Sequence, residues 1–291
     1  MKIYVLLTLL FSLNSYALIL ETMSFADVEK TANEKIKKYG ANNVLMVFDI
    51  DNTLLAMKQD YGSDQWFNWQ YSHCVKKHDK KMSNCVANNM GDLLELTAQI
   101  YALSGSVPTE TKAVEVMKSL QEKGTKVMLL TSRGPNIRNA TERELQKNGF
   151  NPQANTIGPK GGYPAYYTPY QLENYKADGL SKLDIKGLPK PRQISFQNGI
   201  MMTAGLNKGI MLKTILHKTK THFKSIIFVD DHIKHTKRME SIIGADKTID
   251  LVAYRYGKMD KAVKTFHESD KKAAISAHEN FKSMLKKVFN K

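Results

Sequence analysis

The sequence predicts an α/β fold on a doubly wound parallel sheet, with a helical insertion following the first strand that carries chemistry. Three observations predict it. The runs Val44–Phe48, Lys126–Leu130 and Ser225–Val229 are apolar without alternation, as strands buried on both faces are. Helical patterns separate these runs, which calls for parallel strands with helices on both faces. The composition also allows a large core: 291 residues, 42% hydrophobic and 24% charged, which excludes a disordered, collagen-like or coiled-coil chain. Two cysteines exclude a disulfide-dense miniprotein.

Taken in order, the chain opens with Lys2, an apolar stretch Ile3–Leu13 and Ser15-Tyr16-Ala17. This pattern is that of a secretory signal over residues 1–17, so the expected location is the periplasm or the outside of the cell. Ser24 and Asp27 predict a capping box opening a helix to Tyr39, where Gly40 stops it. Residues 18–55 and 109–291 are the expected core, and 56–108 the expected cap. Within the cap, Ser63 starts a helix carrying Trp66, Phe67, Trp69 and Cys74, and a second helix covers Cys85–Ala102. At helical spacing the tryptophans are expected in the cap core rather than in a substrate lid. In an oxidising compartment Cys74 and Cys85 are expected to pair; zinc with His73 and His78 fits no common spacing, and two free thiols are the remaining alternative.

Helices from Thr109 to Gly124 and from Asn136 to Lys147 flank the second strand. Residues 150–206, rich in Pro, Gly and Tyr, give one legible signal. It is Asn198-Gly199 between Arg192–Gln197 and Ile200–Thr203, a hairpin. A helix over Lys208–Lys218, one ending at Ile243, a strand Ile249–Ala253 and a C-terminal helix over 271–289 complete the pattern.

Three strands end in polar residues: Asp49-Ile50-Asp51-Asn52-Thr53, Thr131-Ser132 and Asp230-Asp231. Open parallel sheets bind ligands at these carboxyl ends. Asp49 and Asp51, two apart, project the same way from extended chain. Acids crowded together repel, and a hard divalent cation such as Mg2+ relieves them. One carboxylate can attack phosphorus while its neighbour moves protons. Thr53 is expected to close the turn after Asp51.

These residues, with Lys208 in Asn207-Lys208-Gly209, stand in the order of four motifs and resemble the haloacid dehalogenase-like (HAD) superfamily over about 44–55 and 110–260. Gly62–Trp66, and Asn198-Gly199 ahead of Lys208-Gly209, resemble more narrowly a group of exported bacterial HAD-like proteins catalogued as a domain of unknown function. The resemblance implies a Rossmann-like core and an Mg2+-dependent phosphatase. Asp49 would be nucleophile and metal ligand. Asp51 would be the acid/base, lending its carbonyl to the metal. Thr131, with Ser132, would hold the phosphoryl oxygens, and Lys208 would offset charge. Asp230 would bind metal, and Asp231 would bind it or orient its water. An acid at Asp51 points to phosphate-ester hydrolysis rather than dehalogenation. Lys213 competes with Lys208, and Arg133 is open between the phosphate and a solvated helix start.

Lys and Arg number 43 against 28 Asp and Glu, a net charge of +15. That balance favours anionic partners or simply a solvated cationic surface. No basic stripe interleaved with aromatics appears, so nucleic acid is not the expected partner. No later segment suits stable membrane insertion. The expected substrate is a small phosphomonoester. The alternative is a catalytically divergent HAD-like module that binds a host or envelope protein through its basic surface.

Overall fold

The computed structural model describes residues 17–77, 84–163, 175–186 and 188–289. The expected signal segment, apart from Ala17, lies outside them, as does His78. The strands are β1 (Leu18–Thr22), β2 (Val44–Phe48), β3 (Leu55–Met57), β4 (Ser106–Pro108), β5 (Lys126–Thr131), β6 (Ser195–Gln197), β7 (Ile200–Met202), β8 (Ser225–Asp230) and β9 (Asp250–Tyr256). Among the described residues they form a seven-stranded sheet, β1-β9-β8-β2-β5-β7-β6, and a small β3-β4 pair. The large sheet is parallel except for the antiparallel β6–β7 hairpin at one edge. The fold is therefore α/β with a mostly parallel sheet, as the buried apolar runs predict.

β2 explains why those runs do not alternate. Val44, Met46 and Phe48 pack into a core with Phe25 and Val28 of α1 (Phe25–Tyr39). An α4 helix (Thr111–Glu122) adds Val116 and Leu120 to that core. Leu45 and Val47 pack on the opposite face with Ile210 and Ile215, residues of a helix beginning at Lys208, and with Met239. Every β2 side chain is thus buried, and only apolar residues satisfy both faces.

Local chemistry sets the element ends. Gly40, Gly124 and Gly149 hold φ of 84°, 88° and 84° where helices stop, a positive φ that glycine adopts without steric cost. Asn198 and Gly199, at φ 51° and 76°, form the expected hairpin turn between β6 and β7. Ser24 caps α1 by accepting from the Ala26 N–H at 3.2 Å. The expected capping box is not made, because Thr22 intervenes: its hydroxyl donates to Asp27 at 2.6 Å and accepts from the Ser24 N–H.

The insertion leaves and re-enters the core through the β3–β4 pair, whose register joins Leu55 to Pro108 and Met57 to Ser106. It holds α2 (Asp64–Gln70), a wider helical turn over Tyr71–Lys76, and α3 (Met90–Leu103). Cys74 and Cys85 form a disulfide, Cα atoms 5.5 Å apart. α3 starts five residues later than expected, at an Asn89 cap that accepts from the Asp92 N–H. Trp66 and Trp69 are buried with Leu93 and Ile100 in a separate small core. Gly62 is required there: at φ 85°, any Cβ would sit 2.4 Å from Ile100 Cγ2.

The remaining helices are α5 (Arg138–Lys147), α6 (Lys182–Ile185), α7 (Lys208–Thr219), α8 (Ile233–Ile242), α9 (Asp260–Glu268) and α10 (Lys272–Phe289). Neither β1 nor α9 is expected from the sequence pattern. Phe266 of α9 and Ala274 of α10 join the small core of the insertion, so the chain after β9 packs on the insertion. Among the described residues no helix is long and apolar enough to cross a membrane.

Candidate functional site

The site is assembled where β2, β5 and β8 end. The Asp49 N–H donates to the Val229 carbonyl at 2.9 Å, holding Asp49 beside the end of β8. Its carboxylate accepts from Lys208 Nζ at 2.6 Å. Lys208 is the first residue of α7, just after Asn207, whose side chain accepts from the Gly209 and Ile210 N–H groups. A Cβ on Gly209 would lie 2.7 Å from the Arg238 carbonyl oxygen, so glycine lets α7 start this close to α8. Lys208 makes a second ion pair, 2.7 Å to Asp230 Oδ2, and is only 1% exposed. Lys213, the competing lysine, pairs instead with Asp184 at 2.8 Å.

Asp230 is fully buried. It accepts from the His232 N–H at 2.8 Å and from His235 Nδ1 at about 3.1 Å. Burial disfavours its charge, but Lys208 and His235 outweigh burial and hold its carboxyl well below the usual range. Lys208 answers in kind: burial opposes its charge, yet Asp230 and Asp49 raise its pKa. Asp49 goes the other way. Burial pushes it up to about 7, against the pull of Lys208 and helped by Asp230 and Asp51. Burial also lifts Asp231 well above the ordinary value, opposed by His232.

Carboxylate oxygens of Asp49, Asp230 and Asp231 all lie within 4.8 Å of one another. Two of the three acids, Asp49 and Asp230, share one lysine, and Asp231 Oδ1 is buried without a hydrogen-bond partner among the described residues. A buried acceptor left open costs free energy unless something positive meets it. The cluster can hold a metal ion, and its all-oxygen donor set suits a hard cation.

Asp51 stands apart from this cluster. Its carboxylate accepts a two-point hydrogen bond from Arg133, Nη2 at 2.7 Å and Nε at 2.9 Å, and a third from the Tyr101 hydroxyl at 3.0 Å. The Arg133 guanidinium also lies over the Tyr101 ring, 4.3 Å from its centre. Burial would raise the Asp51 pKa, but the charge and hydrogen bonds of Arg133 prevail and lower it. Arg133 is buried, not the solvated helix start that the sequence left open. Its Nη1 is anchored on Thr141 at 2.9 Å.

Thr131 ends β5, fully buried, and its hydroxyl accepts from the Arg133 N–H at 3.1 Å. Ser132 beside it is exposed. Thr53 closes more than its own turn: its hydroxyl accepts from the Asp231 N–H at 3.0 Å, tying the loop after β2 to the loop after β8.

The insertion lies against this edge. Gln65 accepts from buried Asn52 at 3.4 Å, and Asp64 pairs with His232 at 3.3 Å. The Asp64 hydrogen bond is the main cause that pushes the His232 pKa up to about 10. Arg143 holds the end of α3 through the carbonyls of Tyr101, Ala102 and Ser104. Tyr101, Asp64 and His235 carry no local signal in the sequence. Tyr101 and Asp64 come from the insertion, whose docking no local pattern encodes, and His235 lies on an unremarkable helical turn.

A family model described as a protein of unknown function (DUF2608) matches residues 21–290. The chain belongs to the DUF2608 family. The match includes every strand end that builds the site, so the acidic cluster lies inside the DUF2608 region. No curated protein matches this DUF2608 chain.

Proposed function

We propose that the protein is an exported, magnesium-dependent phosphohydrolase of the HAD-like type, acting on a small phosphomonoester through an aspartyl-phosphate at Asp49. One observation carries the reading. Lys208 is shared between Asp49 and Asp230 at adjoining strand ends, and the neighbouring Asp231 presents an unpartnered buried oxygen. In this reading residues 18–55 and 109–291 are the catalytic core and 56–108 the cap. The Cys74–Cys85 disulfide and the N-terminal pattern support export.

Asp49, Asp230 and Asp231 would hold the Mg2+, with the carbonyl of Asp51. The cation supplies the positive charge that keeps crowded carboxylates ionised and draws charge from the phosphoryl oxygens. An Asp49 oxygen attacks phosphorus and the bond to the leaving oxygen breaks. Asp51 gives that oxygen a proton, then takes one from the water that attacks phosphorus. The bond between phosphorus and Asp49 then breaks, returning the carboxylate and releasing phosphate. Lys208, Thr131 and Ser132 stabilise the phosphoryl oxygens. For Asp51 to carry a proton, Arg133 would have to turn from it, and a bound phosphoryl group would be an anion able to draw the guanidinium away.

The test is hydrolysis of para-nitrophenyl phosphate by the purified protein. Activity with Mg2+, loss in chelator and loss in Asp49→Asn are expected. Full activity in chelator or in that variant would refute the mechanism. Absence of hydrolysis on a broad phosphomonoester panel would favour the partner-binding module.

A further inference from the structure

The apolar stripe of α10 outruns the surface that supports it. At about 100° per residue, Ala274, Ala277, His278 and Phe281 share one face of the helix. That face packs on the insertion: Ala274 is buried, the Phe281 ring lies 6.0 Å from that of Tyr61, and His278 Nδ1 meets the Tyr61 hydroxyl at 2.9 Å. The stripe then continues through Met284, Leu285, Val288 and Phe289. Here the described protein no longer covers it, and Val288 and Phe289 are 63% and 58% exposed. Lys282 and Lys286 flank the stripe on one side and Lys287 on the other, and Lys291 follows in the sequence. No Asp or Glu occurs after Glu279, whose contact is with Lys282 at 3.4 Å.

We propose that this end of α10 is a contact for an anionic membrane surface, resting on a bilayer without crossing it. The charge pattern selects the occupant. Apolar side chains set between Lys286 and Lys287, with no acidic residue on this last stretch, match an interfacial helix, in which the apolar tip enters the headgroup boundary and the lysines meet acidic lipids. A second copy of the chain would bring two lysine clusters face to face, which like-charge repulsion opposes. The helix is not apolar enough to span. Single apolar anchors bind weakly, and the combination of an apolar tip with a basic flank is what gives useful attachment.

Co-sedimentation of the full chain with phosphatidylcholine–phosphatidylglycerol vesicles tests this, with phosphatidylcholine vesicles as the comparison. Binding is expected to the anionic vesicles and weakly, if at all, to the neutral ones. It should fall roughly tenfold in a Val288→Ser, Phe289→Ser double variant and again in Lys286→Glu, Lys287→Glu. Both exposed pairs should leave thermal unfolding unchanged, which controls for folding. Absence of binding to anionic vesicles would overturn the proposal. So would equal binding to neutral ones, since charge would then play no part, or full binding by the serine variant, since attraction would then come from the overall charge alone. Self-association of the chain that disappears in the serine variant would assign the face to a second copy instead.

Discussion

Asp49 and Asp51 lie two residues apart at the end of one strand, yet they sit in opposite surroundings. Asp49 faces two other acids and one shared lysine, all from the core elements β2, α7 and β8, and burial lifts its pKa to about 7. Asp51 faces Arg133 and Tyr101 and is held below the usual carboxylate range. Tyr101 belongs to α3, so the Asp51 side is built jointly by core and insertion. The first half of the site is therefore fixed by the sheet, whereas the second is complete only when the insertion is docked. In the proposed mechanism, nucleophile and proton carrier would thereby stand under separate structural control.

The largest expected effect breaks both halves at the level of chemistry. Asp49→Asn should cost at least about a thousandfold in phosphatase turnover, and Asp51→Asn roughly a hundred- to ten-thousandfold. Steady-state assays with Mg2+ check this, and near-normal turnover in either variant would remove that residue from the mechanism.

Stability should separate the halves next. Lys208→Met leaves buried acids without their cation and should cost about 3–5 kcal/mol in urea unfolding. Arg133→Met leaves Asp51, which keeps 20% of its side-chain exposure and can be met by water. That loss should be smaller, about 1–3 kcal/mol. Equal losses would break the comparison, because both acids would then be equally dependent on their partners. A Cys74→Ser, Cys85→Ser double variant should lose up to about 3 kcal/mol. The loss should be confined to the insertion: amide exchange should quicken within 58–105 and stay unchanged in β2, β5 and β8.

The smallest effect is a pH signature. The folded pKa of Asp49 lies above its unfolded value of about 4, so ionisation disfavours the folded state. Stability of the chelator-treated protein should therefore fall as pH rises from about 4 to about 7, with Asp231 acting in the same sense. Asp51 has the reverse sign: its contribution is present above about 4 and is lost as pH falls through its lowered folded value. Thermal unfolding against pH should show two windows, and Asp49→Asn should flatten the neutral one. Mg2+ should raise the melting temperature more at pH above about 7 than at about 5, since protons compete for the same oxygens.

What the sequence discloses follows the same division. Asp49, Thr131 and Asp230 are legible because each ends a strand buried on both faces, where a polar residue stands out from an apolar run. Lys208 is legible through the helix start marked by Asn207 and Gly209. Arg133 is not, because nothing local says whether an arginine after a strand turns inward. Tyr101 is one apolar position among many on α3, and only the docking of that helix brings its hydroxyl to Asp51. β1 is hidden because Leu18–Leu20 continues the apolar N-terminal stretch, and its strand character arises from pairing with β9. α9 has only nine residues, too few for its apolar face to stand out in the sequence, and Phe266 anchors it on the insertion.

The most direct test of the central claim is acid quenching of a single turnover with phosphoryl-labelled substrate and Mg2+, followed by peptide mapping of the protein. The account predicts acid-stable label on the peptide containing Asp49, and none in Asp49→Asn. Substrate hydrolysis with no labelled protein, label on another residue, or no turnover of any phosphomonoester would contradict it.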